Sequence, residues 1–255
     1  MIHRLVLPFV ALLALISSQS ALASPVTERF IFGFSPDGSH FAFATYETSD
    51  AANFGFARLY VLDVANDAYV GGTPKSYGGE STGLTTGPQA LGALLRDPAS
   101  PLASVGIEIG NYRSLFTHHL GQDTLTFADI AEMDLYASPT FQVGELLLRL
   151  EEFEVPGSTM LDGIPCTDMI GAEAKGFGLR LARLSGAAGE ALDLNWVYRD
   201  TNVPTSRFCP HGYGIADVVM PFEATNGPTI ALIRFFQMGF EGSAQNFIAV
   251  PVEQL

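Results

Sequence analysis

The chain has 255 residues, 47% of them hydrophobic and 16% charged, with 26 Gly, 15 Pro and only 2 Cys. That balance excludes disordered, collagen-like and disulfide-dense proteins. The formal net charge is −14, and a field of that sign repels phosphate backbones and anionic lipid, which argues against nucleic-acid and membrane-surface partners.

The N-terminus has the layout of a secretory signal. His3 and Arg4 precede an apolar stretch from Leu5 to Ile16, then Ser17 to Ser20, then the small-x-small cleavage site Ala21-Leu22-Ala23. The apolar run is shorter than the roughly 20 residues that span a hydrocarbon core as a helix. Ser24 follows the cut, so no cysteine is there to carry a lipid. We read residues 1–23 as a signal peptide and 24–255 as a single β-rich secreted domain, with no stable membrane insertion after cleavage.

Period-two alternation dominates the chain beyond the signal. Phe30, Phe32 and Phe34 are expected on one face of a first strand, and Phe41-Ala-Phe43-Ala-Thr45 belongs to a second. Ser35-Pro36-Asp37-Gly38 between them has the residue order of a type I turn. Phe56 to Val64 alternates again, completing a β-meander. The Gly-rich stretch from Gly71 to Gly87 is a loop, and Pro88 then opens a helix whose Ala90, Leu91, Leu94 and Leu95 share a face.

Strand patterns return from Leu115 to the end. In Phe141 to Val155 the apolar face slips from Leu146/Leu148/Leu150 to Phe153/Val155, which suggests a bulge. Leu192, Leu194, Trp196 and Tyr198 alternate cleanly and predict one core face. Ile230 to Phe236 is almost wholly apolar, the mark of a central strand covered on both sides. The predicted fold class is mainly β: a single-domain β-sandwich or irregular β architecture with one inserted short helix. A small propeller-like fold is the alternative, disfavoured because the Phe-Ser-Pro-Asp-Gly hairpin occurs once instead of repeating.

Cys166 and Cys209 both lie in turn-rich segments, and an oxidising compartment makes a disulfide the default. A metal site using His211 with His118 and His119 is the weaker reading, because the spacing defines no convergent ligand set.

Phe32-Gly-Phe-Ser-Pro-Asp-Gly-Ser-His-Phe-Ala-Phe43, Tyr60-Val-Leu-Asp-Val64 with Gly72-Thr-Pro74, and Gly239-Phe-Glu-Gly-Ser-Ala-Gln-Asn-Phe-Ile-Ala-Val250 occur in that order. Together they resemble the bacterial predicted secreted proteins of domain of unknown function 2259. Pro204-Thr-Ser-Arg-Phe-Cys-Pro210 is similar to that family's second half. The resemblance implies an exported, periplasmic protein of Gram-negative bacteria and carries no activity with it.

Motifs that carry chemistry are missing. Asp123, Asp129, Glu132 and Asp134 lack calcium-loop spacing. Glu151, Glu152 and Glu154 sit on a strand where neighbours point to opposite faces. No nucleophile elbow, zinc motif, phosphate loop or dinucleotide fingerprint is present, and no cofactor is implied. The candidate binding residues are Tyr46, Glu47 and Asp50, which lead into the first long loop, with Phe240 and Glu241 in the last hairpin. Placed together, they would form an acidic-rimmed aromatic patch. The expected role is a non-catalytic binding or interaction module for a periplasmic protein or a small cationic ligand, with an envelope hydrolase lacking any recognisable motif as the alternative.

Overall fold

The computed structural model describes residues 27–49, 53–117, 140–143, 146–185, 190–224, 227–239 and 243–252. Strands β1 (Glu28–Phe34) and β2 (His40–Ser49) are joined by the predicted turn, in which the Gly38 N–H donates to the Ser35 carbonyl at 2.9 Å. β3 (Phe54–Asp63) continues the meander. β4 (Ala68–Tyr69) and β5 (Lys75–Gly78) both pair with β3 and complete the first sheet.

Helix α1 (Gly87–Arg96) starts at a capping box, in which the Thr86 side chain accepts from the Gln89 N–H and the Gln89 side chain accepts from the Thr86 N–H. Pro88 in the first turn lacks a donor that would otherwise have no intrahelical acceptor. A single turn, α2 (Pro101–Ser104), and a short helix at Cys166–Ile170 add to the one helix expected.

Strand β6 (Arg113–Thr117) precedes a four-stranded sheet of β7 (Thr140–Val143), β8 (Leu146–Glu154), β9 (Lys175–Ser185) and β10 (Glu190–Arg199), in the order β10-β9-β8-β7. The chain then returns to β6 with β11 (Gly212–Met220), β12 (Thr229–Met238) and β13 (Ser243–Val252), giving the order β13-β12-β11-β6. This last sheet is the middle layer. One face packs Ala216, Val219, Ile230 and Leu232 against Phe34, Phe41, Phe43 and Tyr60 of the first sheet. The other packs Tyr213, Ile215, Ile233 and Phe235 against Leu148, Leu150, Phe177 and Leu179 of the third sheet. On the far side of the first sheet, Ala42, Ala44, Leu59 and Val61 meet Ala90, Leu91 and Leu94 of α1. The stack is therefore helix, sheet, sheet, sheet, a sandwich extended by a third layer. Burying each large aliphatic or aromatic side chain in it contributes roughly 1.5–3 kcal/mol.

Irregular register corrects three expectations. β1 shifts register between Ile31 and Gly33, so Phe32 packs toward α1 while Phe34 packs toward the middle sheet. Phe30, Phe32 and Phe34 thus do not share a face. β8 pairs with β9 without a shift from Leu146 to Glu154. The suspected slip there is instead a change in what the outer face carries: Phe153 lies beside the Arg199 guanidinium, 4.9 Å from its ring centroid. β10 shifts twice, and Trp196 is exposed while Val197 and Tyr198 both pack on the core. The alternation of Leu192 to Arg199 is regular in sequence and irregular in space.

A fourth bulge sets the contact between layers. β11 shifts between Ile215 and Asp217, so Ala216 and Asp217 both face the first sheet while Ile215 and Val218 face the third. Asp217 there accepts two bonds from Arg29 of β1, from Nε and, at 3.1 Å, from Nη2. Arg234 of β12 is buried in the same layer, and burial together with the Arg29 charge holds its pKa down to about 10, while Asp217 works the other way. Asp217 is thus ion-paired with Arg29 and within electrostatic reach of Arg234. Asp217→Asn is expected to destabilise the fold by about 3–5 kcal/mol in urea unfolding, and by more than Arg29→Met does, because only the first removes the negative charge that faces both the half-buried Arg29 and the buried Arg234.

Candidate functional site

A cleft of about 630 Å³ opens where three connections meet at one end of the layers: the β1–β2 turn, the segment between α2 and β6, and the β11–β12 connection. The segment before β6 is laid against β1. Gly110 N–H donates to the Phe32 carbonyl at 2.7 Å, Phe34 N–H to the Asn111 carbonyl at 3.1 Å, and Asn111 Nδ2 to the Phe34 carbonyl at 3.2 Å. Asn111 Oδ1 accepts from the Phe222 N–H at 3.4 Å, and Arg113 Nη2 donates to the Ala224 carbonyl at 3.1 Å, which ties the opposite wall to the same segment. Gly38 adopts φ +71 under Pro228, whose Cγ would lie 2.9 Å from any Cβ added there, so the turn approaches this closely only with glycine.

Three carboxylates line the cleft: Asp37, Glu108 and Glu223. Oδ1 of Asp37 accepts from Ser35 Oγ at 2.6 Å, Ser39 Oγ at 2.8 Å and the Ser39 N–H at 3.0 Å. The bond from Ser35 is the largest of the effects that pull its pKa down to about 2, so Asp37 stays charged at any physiological pH. Between the carboxylates stand Phe222 and Ile109, which are 63% and 62% exposed, more than any other large hydrophobic side chain described. Two solvated apolar groups beside fixed negative charge make a surface for a ligand that is cationic and apolar at once. Among the described residues no group of three His, Cys, Asp or Glu side chains is placed to hold a metal ion.

Of the predicted binding residues, Tyr46 and Glu47 do not line this cleft. Tyr46 and Glu47 are neighbours on β2 and both engage the residues where β1 begins: Tyr46 OH donates to Glu28 Oε2 at 2.7 Å, and Glu47 Oε2 accepts from Thr27 Oγ1 at 2.8 Å. Burial and the Glu28 carboxylate push the Tyr46 hydroxyl up to about 12. Asp50, Phe240 and Glu241 lie outside the described residues, as do His118, His119, Asp123, Asp129, Glu132 and Asp134. The cleft residues escaped the sequence reading because Asp37, Glu108 and Glu223 belong to three separate turns. The one usable signal was Pro221-Phe222-Glu223, an aromatic in a turn.

A buried polar network also went unread. Arg207 Nη1 donates to Asp200 Oδ2 at 2.6 Å, Tyr198 OH donates to Asp200 Oδ1 at 2.7 Å, and Tyr213 OH donates to the Lys175 carbonyl at 3.0 Å. Burial opposes the Arg207 charge, but Asp200 and the two tyrosines outweigh it, so its pKa is raised. Burial pushes Tyr198 up to about 12. The network rivets β9 and β10 to the middle sheet, beside a disulfide between Cys166 and Cys209 that packs on Ala174. The expected bridge is therefore present. Of the clustered glutamates, Glu152 turns inward to accept from Lys175 Nζ at 2.8 Å and the Tyr213 N–H at 2.6 Å, while Glu151 stays on the outer face beside Arg149 and Arg180.

The family described as predicted secreted protein, DUF2259, matches residues 42–253. The chain belongs to this family. The matched span contains both cysteines, the buried network and two of the three cleft walls, whereas the Asp37 turn precedes it. No curated protein and no solved structure matches the chain. No helix among the described residues is long and apolar enough to cross a membrane.

The disulfide closes a sequence separation of 43 residues, and replacing both cysteines by serine is expected to cost about 3–4 kcal/mol on the chain-entropy account, measured by denaturant unfolding. His211, two residues beyond the bridge, makes stability depend on pH. Its Nε2 lies 2.9 Å from Ser243 Oγ, and burial, aided by the Lys175 charge, pushes its pKa down to about 4. The folded state then binds fewer protons than the unfolded chain, whose histidine titrates near about 6.5. Stability should be fully present above about pH 6.5 and fall as the pH drops toward 4, by up to about 3 kcal/mol. His211→Gln is expected to flatten that slope, and an unchanged slope would assign the acid sensitivity to the carboxylates.

Proposed function

We propose that this secreted-family protein is a periplasmic, non-catalytic binding module, and that the cleft between the β1–β2 turn and the β11–β12 connection is where it binds. The observation that carries this reading is the pairing of exposed Phe222 and Ile109 with Asp37, Glu108 and Glu223 in one cleft. Leaving two large apolar side chains solvated is unfavourable unless a partner covers them, and the carboxylates select a partner with positive charge. The ligand class is a protein segment or small molecule that joins an aliphatic or aromatic group to an ammonium or guanidinium. The described residues of the lining offer carboxylates and apolar groups, a set suited to holding a cationic ligand, and this supports binding over the hydrolase alternative.

Selecting a random peptide library on the immobilised protein tests the reading. Enriched peptides are expected to place Lys or Arg beside an apolar residue, and to bind less tightly as salt rises because the attraction is screened. Phe222→Ser and Glu223→Gln should each weaken them about tenfold or more, with little effect on stability because both side chains are exposed. Selected peptides whose affinity is untouched by either substitution would place the site elsewhere.

A further inference from the structure

The outer face of the third sheet collects cations that the sequence scatters. Arg149, Glu151 and Phe153 of β8, Gly178 and Arg180 of β9, and Trp196 and Arg199 of β10 lie on the side away from the core residues Leu148, Leu150, Phe177 and Leu179. Arg149 and Arg180 are direct cross-strand partners. Like charges directly opposite in a sheet are destabilising. Glu151 stands between them, with its oxygens 3.7 Å from Arg149 Nε and 3.4 Å from Arg180 Nε. Those are ion-pair distances, and Arg180 Nε, shut off from solvent, makes no hydrogen bond among the described residues.

Trp196, the only tryptophan, lies across Gly178, where an added Cβ would come within 2.4 Å of the ring. The Arg180 guanidinium is 3.9 Å from the Trp196 ring centroid. Arg199 is 5.0 Å from the same ring and 4.9 Å from that of Phe153. Stacking on an aromatic face holds a guanidinium in plane and turns its fork of N–H donors sideways, the arrangement that bidentate recognition of an oxyanion needs.

We propose that this face is a binding site for a small phosphate ester, held by Arg149, Arg180 and Arg199. Phosphate fits better than carboxylate because its oxygens can accept from more than one guanidinium, and Glu151 already supplies a carboxylate. A small ligand fits better than a membrane or a nucleic acid. An extended polyanion meets the field of the whole chain, at −14, whereas a small ester senses only charges within about 8 Å. The opposed arginines are a local conflict in the sheet, the kind of rule-breaking that functional sites show, and a bound phosphate would relieve it.

Trp196 reports on its own site. Titrating the exported protein with glycerol phosphate at constant ionic strength should change tryptophan fluorescence saturably, and chloride should not reproduce the change. Arg149→Gln and Arg199→Gln should each weaken the apparent affinity about tenfold, whereas Glu223→Gln in the cleft should leave it unchanged. Arg199 packs on two rings, so if its replacement perturbs folding, Arg149→Gln decides, since that side chain is 52% exposed. A response matched by chloride, or a saturable one that both arginine variants retain, overturns the proposal. So does a fluorescence change with phosphatidylglycerol vesicles in the absence of any with glycerol phosphate, which would assign the face to a lipid surface.

Discussion

The middle sheet has packed layers on both of its sides, and the remaining architecture follows from covering it. In β12 the residues Thr229 to Phe236 are all buried, with Ile230 and Leu232 turned to the first sheet and Ala231, Ile233 and Phe235 to the third. A strand enclosed on both faces cannot use the polar side that a half-exposed antiparallel strand offers to water. Its neighbours must then bring an apolar face each, which β2 and β3 do with Phe41, Phe43, Tyr60 and Leu62, and β8 and β9 do with Leu148, Leu150, Phe177 and Leu179.

The buried carboxylates of this stack, Asp200 and Asp217, are each paired with a guanidinium. Asp217 meets Arg29 between the first and middle sheets, and Asp200 meets Arg207, Tyr198 and the Phe177 N–H between the middle and third. Burial of an unpaired charge is far costlier than burial of a paired and hydrogen-bonded one. These contacts fix the relative placement of the layers: sliding the first sheet would separate Asp217 from Arg29, and sliding the third would break the bonds of Tyr213 to Lys175 and Glu152.

Both proposed sites lie at the periphery of the stack. The cleft is built from connections at one end, held open by hydrogen bonds through Asn111 and by the glycine at the turn under Pro228. The arginine and tryptophan face is built on the paired strands β8, β9 and β10. The two differ in sign as well as in place, with carboxylates and solvated apolar groups in one and guanidiniums stacked on rings in the other. An acidic protein with one concentrated basic face presents two chemically distinct surfaces to its surroundings.

Sequence by itself determined the strand-rich class, the Ser35–Gly38 turn, a helix opening at Pro88, within one residue of the start of α1, and the double-sided burial of Ile230 to Phe236. Each of these is written in neighbouring residues through period, turn chemistry or capping. The Cys166–Cys209 bridge was legible too, given two cysteines and the oxidising compartment that the sequence led us to expect. Tertiary structure alone decided which way Phe34, Asp217 and Trp196 point, because a bulge adds one residue to one strand and reverses every face after it without a compositional mark. It also decided both candidate sites. Asp37, Glu108 and Glu223 meet only because β6 and β11 lie in one sheet and the β1–β2 turn packs across their connections, and Arg149, Arg180 and Arg199 meet only through the order β10-β9-β8. Strand order is set by which apolar faces close on one another over long separations, and alternation within a single strand holds no record of it.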